Sequence, residues 1–150
     1  MASMMHDPMV LRQIIMDHYE YPRNHELSKD ESYRQIHMAS ESCIDDIYVQ
    51  AKIENGKIED IRFDGVACTI ATSSTSIMSE LLKGKSMADA DEIIHEYFQM
   101  IDGQSYNEEL LEEAIAFQSV GKQANRIKCA TIGWNAIKAL MEEVRGLDGQ

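Results

Sequence analysis

Residues Ile47 to Ile53 alternate strictly, with Ile47, Val49, Ala51 and Ile53 on one face and Tyr48, Gln50 and Lys52 on the other. That is the period of a half-buried strand. Asn55-Gly56 follows, a dipeptide suited to the positive φ angles of a two-residue hairpin turn. The chain must fold back here, so antiparallel sheet is the first constraint on the fold. The returning strand, Lys57 to Phe63, breaks the alternation. A two-residue turn sets Ile53 opposite Ile58, but Ala51 then meets Asp60 and Val49 meets Arg62. One extra residue near Glu59-Asp60 returns Ile61 and Phe63 to the core side, so a β-bulge there, or a longer turn, is expected.

Around this hairpin the apolar spacing is helical. Met9 to Tyr19 carries Leu11, Ile14, Ile15 and His18/Tyr19 and should end before Pro22, because the residue preceding a proline avoids the α region. A polar loop through Ser28-Lys29-Asp30-Glu31 leads to a strand near Tyr33 to Ala39. Everything after Cys68 reads as helix. Ile77, Leu81 and Leu82 form a stripe ending at Gly84, a C′ glycine. Met87 to Met100 buries Ile93, Ile94, Tyr97 and Phe98; a third helix carries Leu110, Leu111, Ala114, Ile115 and Phe117. The last carries Ile132, Ala136, Ile137, Leu140 and Val144 and stops at Gly146. Helix, three strands, then helices predicts an α+β domain: a three-stranded antiparallel sheet with helices packed on one face and an N-terminal helix. No linker divides the chain, so one domain over residues 1–150 is expected, with residues 1–8 flexible and lacking the features of a signal peptide.

The formal charge is −12, from 26 acidic and 14 basic residues. Phosphate backbones and anionic membrane surfaces are repelled by such a chain, and no apolar run approaches the roughly 18–20 residues of a membrane span. The expected partners therefore include no nucleic acid and no membrane. The expected location is cytoplasmic. Three cysteines are an odd number, which cannot all pair within one chain. Apolar packing, nucleophilic chemistry and metal ligation remain open for them.

Each cysteine stands where structure changes. Cys43 precedes the hairpin, Cys68 follows it, and Cys129 precedes the expected last helix. Spacings of 25 and 61 residues are too long for a zinc knuckle, so context has to carry the argument. Cys68 opens the run Thr69-Ile70-Ala71-Thr72-Ser73-Ser74-Thr75-Ser76. A thiolate there is favoured by the free N–H groups and dipole of a helix N-terminus; the hydroxyls suit close helix–sheet packing. Arg126 and Lys128 precede Cys129, and Asp45 lies two residues from Cys43, on the same side if the stretch is extended. Three thiolates and one carboxylate suit tetrahedral Zn²⁺. They exceed the ion's charge by two, an excess that Arg126 and Lys128 would offset.

Asp17-His18-Tyr19-Glu20-Tyr21-Pro22-Arg23-Asn24, Gly65-Val66-Ala67-Cys68-Thr69-Ile70-Ala71-Thr72-Ser73-Ser74, Gly84-Lys85-Ser86 and Arg126-Ile127-Lys128-Cys129-Ala130-Thr131 with Trp134 together resemble the IscU/SufU family of iron–sulfur cluster assembly proteins. These are related to the N-terminal domain of NifU. The resemblance covers nearly the whole chain. Lys128, where IscU has histidine, and the longer stretch between Cys68 and Cys129 favour the SufU branch. Ala124-Asn125-Arg126-Ile127-Lys128 replaces the proline-containing chaperone motif of IscU, so an Hsp70-type partner is not implied.

The resemblance implies a metal site of Cys43, Asp45, Cys68 and Cys129 holding zinc. Cys43 would be the acceptor of persulfide sulfur from a SufS-like cysteine desulfurase and Arg126 its electrostatic helper. The chain would then be a sulfurtransferase-like accessory supplying downstream cluster-assembly proteins. The same cysteines could instead hold a transient [2Fe–2S] cluster on a scaffold, binding iron, or the zinc site could be a structural interaction module. One departure stands out: Ser40-Glu41-Ser42-Cys43-Ile44-Asp45 has isoleucine where the family has glycine.

Overall fold

The computed structural model describes residues 6–39 and 44–148. Helix α1 (Pro8–Glu20) begins where Asp7 accepts the Met9 amide at 2.9 Å. Pro8 fills its first turn, where a missing N–H leaves no bond unmade. The helix is one residue longer at each end than the apolar spacing indicates, and it stops ahead of Pro22 as expected.

Strands β1 (Arg34–Ala39), β2 (Asp46–Glu54) and β3 (Lys57–Val66) form an antiparallel sheet in the order β1-β2-β3. Asn55 and Gly56 turn the hairpin with φ of 55° and 73°. Ile53 pairs with Ile58 and Lys52 with Asp60, leaving Glu59 as the extra residue. The bulge lies where the core required it: Ala51 meets Ile61 and Val49 meets Phe63, and all four are buried. Without that insertion two charged side chains would face the core.

The inner face of the sheet is covered by helices α2 (Thr69–Leu82) and α5 (Ala124–Asp148). The first runs along β3, the second crosses β1 and β2, and α1 packs on α2. The outer face is only partly open. Gln50 is buried because the loop after α1 folds over it. The Ser28 amide donates to Gln50 Oε1 at 2.6 Å, and Gln50 Nε2 donates to the Ser28 carbonyl and to Gln35 Oε1.

Helix α2 is buried on all sides from Ala71 to Ser79. Its hydroxyls survive burial by bonding back to their own helix: Ser73 Oγ donates to the Thr69 carbonyl and Ser79 Oγ to that of Ser76, both at 2.7 Å. The Ser/Thr run packs mainly between helices α1 and α5, not on the sheet alone as expected. Small side chains let two neighbours approach one central helix. Gly84 follows with φ 86° and donates to the Ile58 carbonyl at 2.7 Å, tying the end of α2 to the bulged strand.

Two helix expectations need correction. The segment from Leu110 to Phe117 is not one helix. It is α4 (Glu108–Leu111), a break at Glu112 with φ 47°, and a 3₁₀ segment over Glu112–Phe117. The tighter winding buries Ala114, Ile115, Ala116 and Phe117 consecutively, which an amphipathic α-helix does not do. The helix before it, α3 (Met87–Ile101), is capped by Ser86, runs one residue past the expected end and buries Ile93, Ile94 and Tyr97, but leaves Phe98 half-buried. Helix α5 starts at Ala124 and runs through Gly146. Gly146 does not stop it, and Cys129 lies inside the helix instead of preceding it.

Candidate metal centre

Three segments meet at one end of the sheet. Asp45 lies just before β2, Cys68 between β3 and α2, and Cys129 in the second turn of α5. One ligand atom from each lies within 4.8 Å of the others. Asp45 is 1% exposed and Cys129 7%, with Cys68 half-buried. The Cys68 amide donates to Asp45 Oδ1 at 2.8 Å, and Cys68 Sγ lies 3.8 Å from Asp45 Oδ2. Two ligands of one tetrahedral zinc ion stand about 3.5 Å apart. Cys68 also caps α2, its Sγ accepting the Ala71 amide at 3.4 Å. Cys43, the fourth expected ligand, lies outside the described residues.

The donor set fits a divalent ion. A carboxylate and two thiol groups brought this close out of water repel one another when ionised, unless a cation offsets them. Two sulfurs and one oxygen in this arrangement match borderline-soft zinc or iron better than magnesium or calcium.

The flanking cations divide. Arg126 stands three residues before Cys129, on the same side of α5. It lines a groove of about 500 Å³ with Arg12, Thr69 and Ile70, beside the helix terminus that Cys68 caps. Lys128 is adjacent to Cys129 in the chain, so on a helix it points roughly 100° away, and it is exposed. Ahead of a helix both could face the thiolate; inside α5 only Arg126 shares its side. Ile44 is 67% exposed beside the centre.

The motif ending in Arg23-Asn24 staples α1 to α2. His18, 1% exposed, has Nδ1 2.8 Å from Ser76 Oγ and Nε2 3.2 Å from Glu113 Oε1. The Arg23 amide donates to the same Ser76 hydroxyl, and Asn24 Nδ2 donates to Ser79 Oγ at 2.9 Å. Arg23 also pairs with Asp17 at 2.6 Å. A second buried network lies behind Cys129. Ser74 Oγ and Tyr97 Oη each stand 2.7 Å from the Ala130 carbonyl, and Trp134 Nε1 donates to Ser74 Oγ at 3.1 Å. Sequence reasoning missed this network, because Tyr97 and Trp134 fall on apolar helix stripes.

A three-stranded antiparallel sheet backed by helices, with an aspartate and two cysteines converging at its end, is an α+β domain built around a candidate metal centre. The chain belongs to the NifU-like N-terminal domain family, whose model matches residues 11–146. It is 35% identical over 128 residues, 85% of this chain and 86% of the relative, to the zinc-dependent sulfurtransferase SufU of Bacillus subtilis (strain 168). Over 126 residues, 83% of this chain and 78% of the relative, it is 34% identical to the iron–sulfur cluster assembly scaffold protein IscU of Streptococcus pyogenes serotype M1. The crystal structure of the SUF-system protein FiSufU from Fervidobacterium islandicum AW-1 superposes with a TM-score of 0.76 at 26% identity. It covers 85% of this chain and 93% of that one. Among the described residues, no helix is long and apolar enough to cross a membrane.

Proposed function

We propose that this chain is a cytoplasmic iron–sulfur cluster assembly protein that takes persulfide sulfur from a cysteine desulfurase onto Cys43, with zinc held by Cys43, Asp45, Cys68 and Cys129. The observation that carries the reading is the convergence of Asp45, Cys68 and Cys129 within 4.8 Å, in a chain 35% identical to a zinc-dependent sulfurtransferase.

Zinc, when bound, supplies a Lewis acid that keeps coordinating thiols deprotonated at neutral pH. The remaining work belongs to side chains. The Cys43 thiolate attacks the outer sulfur of the desulfurase persulfide. The sulfur–sulfur bond of that persulfide breaks with its electron pair leaving on the desulfurase thiolate, and a new one forms on Cys43. No external oxidant or reductant enters. Asp45 and Cys68 hold each other through the 2.8 Å amide bond, so the centre keeps its shape while Cys43 reacts. Arg126 and Arg12 give an otherwise acidic chain one cationic groove beside the centre, where a partner's negative charge is drawn in.

The test is alanine release by a SufS-like desulfurase with this protein added. Stimulation is expected, and it should vanish with Cys43→Ala. No stimulation by the wild-type chain, or full stimulation by Cys43→Ala, rejects the reading.

The similarity to a scaffold-named IscU favours a second reading: the centre holds a nascent [2Fe–2S] cluster as cargo for downstream assembly proteins. Anaerobic reconstitution with iron and sulfide separates the two. A zinc form that refuses iron rules out the scaffold.

A further inference from the structure

The network behind Cys129 has a feature that packing alone does not require. The Ala130 carbonyl lies inside α5, where the helix ladder already gives it the amide four residues on. Two buried hydroxyls add themselves to it, Ser74 Oγ and Tyr97 Oη, each at 2.7 Å. A carbonyl oxygen has two lone pairs, so with three donors aimed at it they must be shared and none is left unused. The two short contacts assign the donors to Ala130. Trp134 Nε1 donates to Ser74 Oγ at 3.1 Å, and the single Ser74 proton goes to Ala130. Tyr97 Oη also lies 3.2 Å from Ser74 Oγ, but its shorter contact is the 2.7 Å one to the Ala130 carbonyl, and burial pushes its hydroxyl pKa up, keeping it a donor. The Tyr97 ring stacks on Trp134 with centroids 3.8 Å apart and planes 5° from parallel. Ser74, Tyr97, Ala130 and Trp134 are all essentially excluded from water.

The placement of these donors matters more than their number. Cys68 caps the N-terminus of α2, and Ser74 rides the same helix less than two turns later. Asp45 is fixed to Cys68 by its amide bond. Cys129 reaches the centre only through the position of α5, and Ala130 is the next residue. Ser74 therefore sets the turn bearing Cys129 against the helix bearing Cys68, and Tyr97, reaching in from α3 and 3.2 Å from Ser74 Oγ, braces the same carbonyl. A fully satisfied buried network specifies geometry more sharply than apolar contact does.

We propose that Ser74 and Tyr97 are positioning residues for Cys129, fixing the Cys68–Cys129 separation through the Ala130 carbonyl and so setting the strength with which the centre holds zinc. This rests on the metal-ligand reading of Cys68 and Cys129. Groups one shell out from metal ligands typically change metal affinity by roughly 10–100-fold, and that is the range expected here.

The experiment uses the full chain with Tyr97→Phe, Ser74→Ala and the double variant. Zinc affinity is measured by chelator competition, and the thiolate-to-cobalt absorption bands are recorded after Co²⁺ substitution. Tyr97→Phe is expected to keep the stacked ring and weaken zinc about tenfold, with the double variant weaker still and its cobalt bands shifted. Ile61→Val, a core change in β3, should leave affinity and spectrum alone despite a comparable loss of thermal stability. Wild-type affinity and spectrum in all three clamp variants, or equal changes in Ile61→Val, overturn the proposal.

Should the variants not fold, the wild-type chain still decides. Trp134 is its single tryptophan, so zinc loading of the metal-free protein must move the indole N–H resonance that reports on Ser74. An unmoved resonance overturns the proposal. Cys68→Ala and Cys129→Ala distinguish the two levels: full zinc binding by both defeats the metal reading itself. Loss in both, with none in the clamp variants, defeats only the clamp.

Discussion

The Cys68 amide donates to Asp45 Oδ1 at 2.8 Å, so the turn before β2 and the N-terminus of α2 are joined through the Asp45 side chain. One Asp45 oxygen is thus a hydrogen-bond acceptor, and the other, 3.8 Å from Cys68 Sγ, is the one a metal would take in the proposed centre.

Asp45→Asn separates them. Its side-chain oxygen still accepts the Cys68 amide, while the negative charge is gone. We expect zinc affinity about tenfold weaker or worse, with the melting temperature of the metal-free protein close to wild type. Asp45→Ala should lose both. Metal analysis and calorimetry of the two variants check this, and full-strength zinc binding by Asp45→Asn would remove Asp45 from the ligand set.

The bond between His18 Nε2 and Glu113 Oε1, at 3.2 Å, predicts a pH dependence. That hydrogen bond holds the Glu113 carboxyl below its ordinary 4.5, against the opposing effect of burial. A carboxyl lowered on folding adds stability above its unfolded pKa and loses it as pH falls through the folded one. Glu113→Gln should thus destabilise the protein at pH 7, and the gap to wild type should close below pH 4.5. Half of the Glu113 side chain is exposed, so the effect is small, less than about 1 kcal/mol. Urea midpoints at pH 7 and pH 3.5 measure it; a gap that widens in acid contradicts the assignment.

What was legible in the sequence was whatever depended on period and on turn chemistry. The bulge at Glu59 followed from Ala51 and Val49 needing apolar partners, and Asn55-Gly56 gave the hairpin. The start of α5 was missed because Ala124-Asn125-Arg126-Ile127-Lys128 is exposed or half-exposed and shows no apolar stripe. The break at Glu112 was missed because a positive φ at glutamate has no local signature. Three of the expected ligands came together although their spacing in the chain carried almost no signal. Their separation is set by a β-hairpin and two helices, which no local pattern encodes. The Ala130 clamp was hidden for a related reason: its acceptor is a backbone carbonyl.

At Gly133, α5 comes close against Thr75 of α2. A Cβ there would stand 2.4 Å from Thr75 Oγ1 and 2.9 Å from Thr75 Cγ2, distances that force a shift. Gly133→Ala should cost about 1–3 kcal/mol, despite the better helix propensity of alanine. Thr75 Oγ1 is buried without a hydrogen-bond partner, so Thr75→Ala strands no donor. The double variant should recover most of the loss, as a non-additive pair in contact. Thermal melts of the four proteins test this, and simple additivity would show that the two helices do not touch there.

Ile44 stands between Cys43 and Asp45 and is 67% exposed. Its apolar side chain gains little burial, so packing is a weak reason for its presence. A β-branched residue narrows the backbone conformations of its neighbours, whereas glycine widens them. The proposed transfer requires the Cys43 sulfur to reach the desulfurase persulfide, and a β-branched neighbour leaves the chain there fewer conformations in which to do so. Ile44→Gly should therefore raise the stimulation of desulfurase alanine release, severalfold at saturating substrate. Zinc affinity should stay the same or fall slightly, since a looser loop holds its cysteine at greater entropic cost. Zinc stoichiometry and alanine release, measured on the same preparation, separate the two effects. An unchanged rate with unchanged zinc would mean that the first loop does not limit transfer, and that the step governing turnover lies on the desulfurase side.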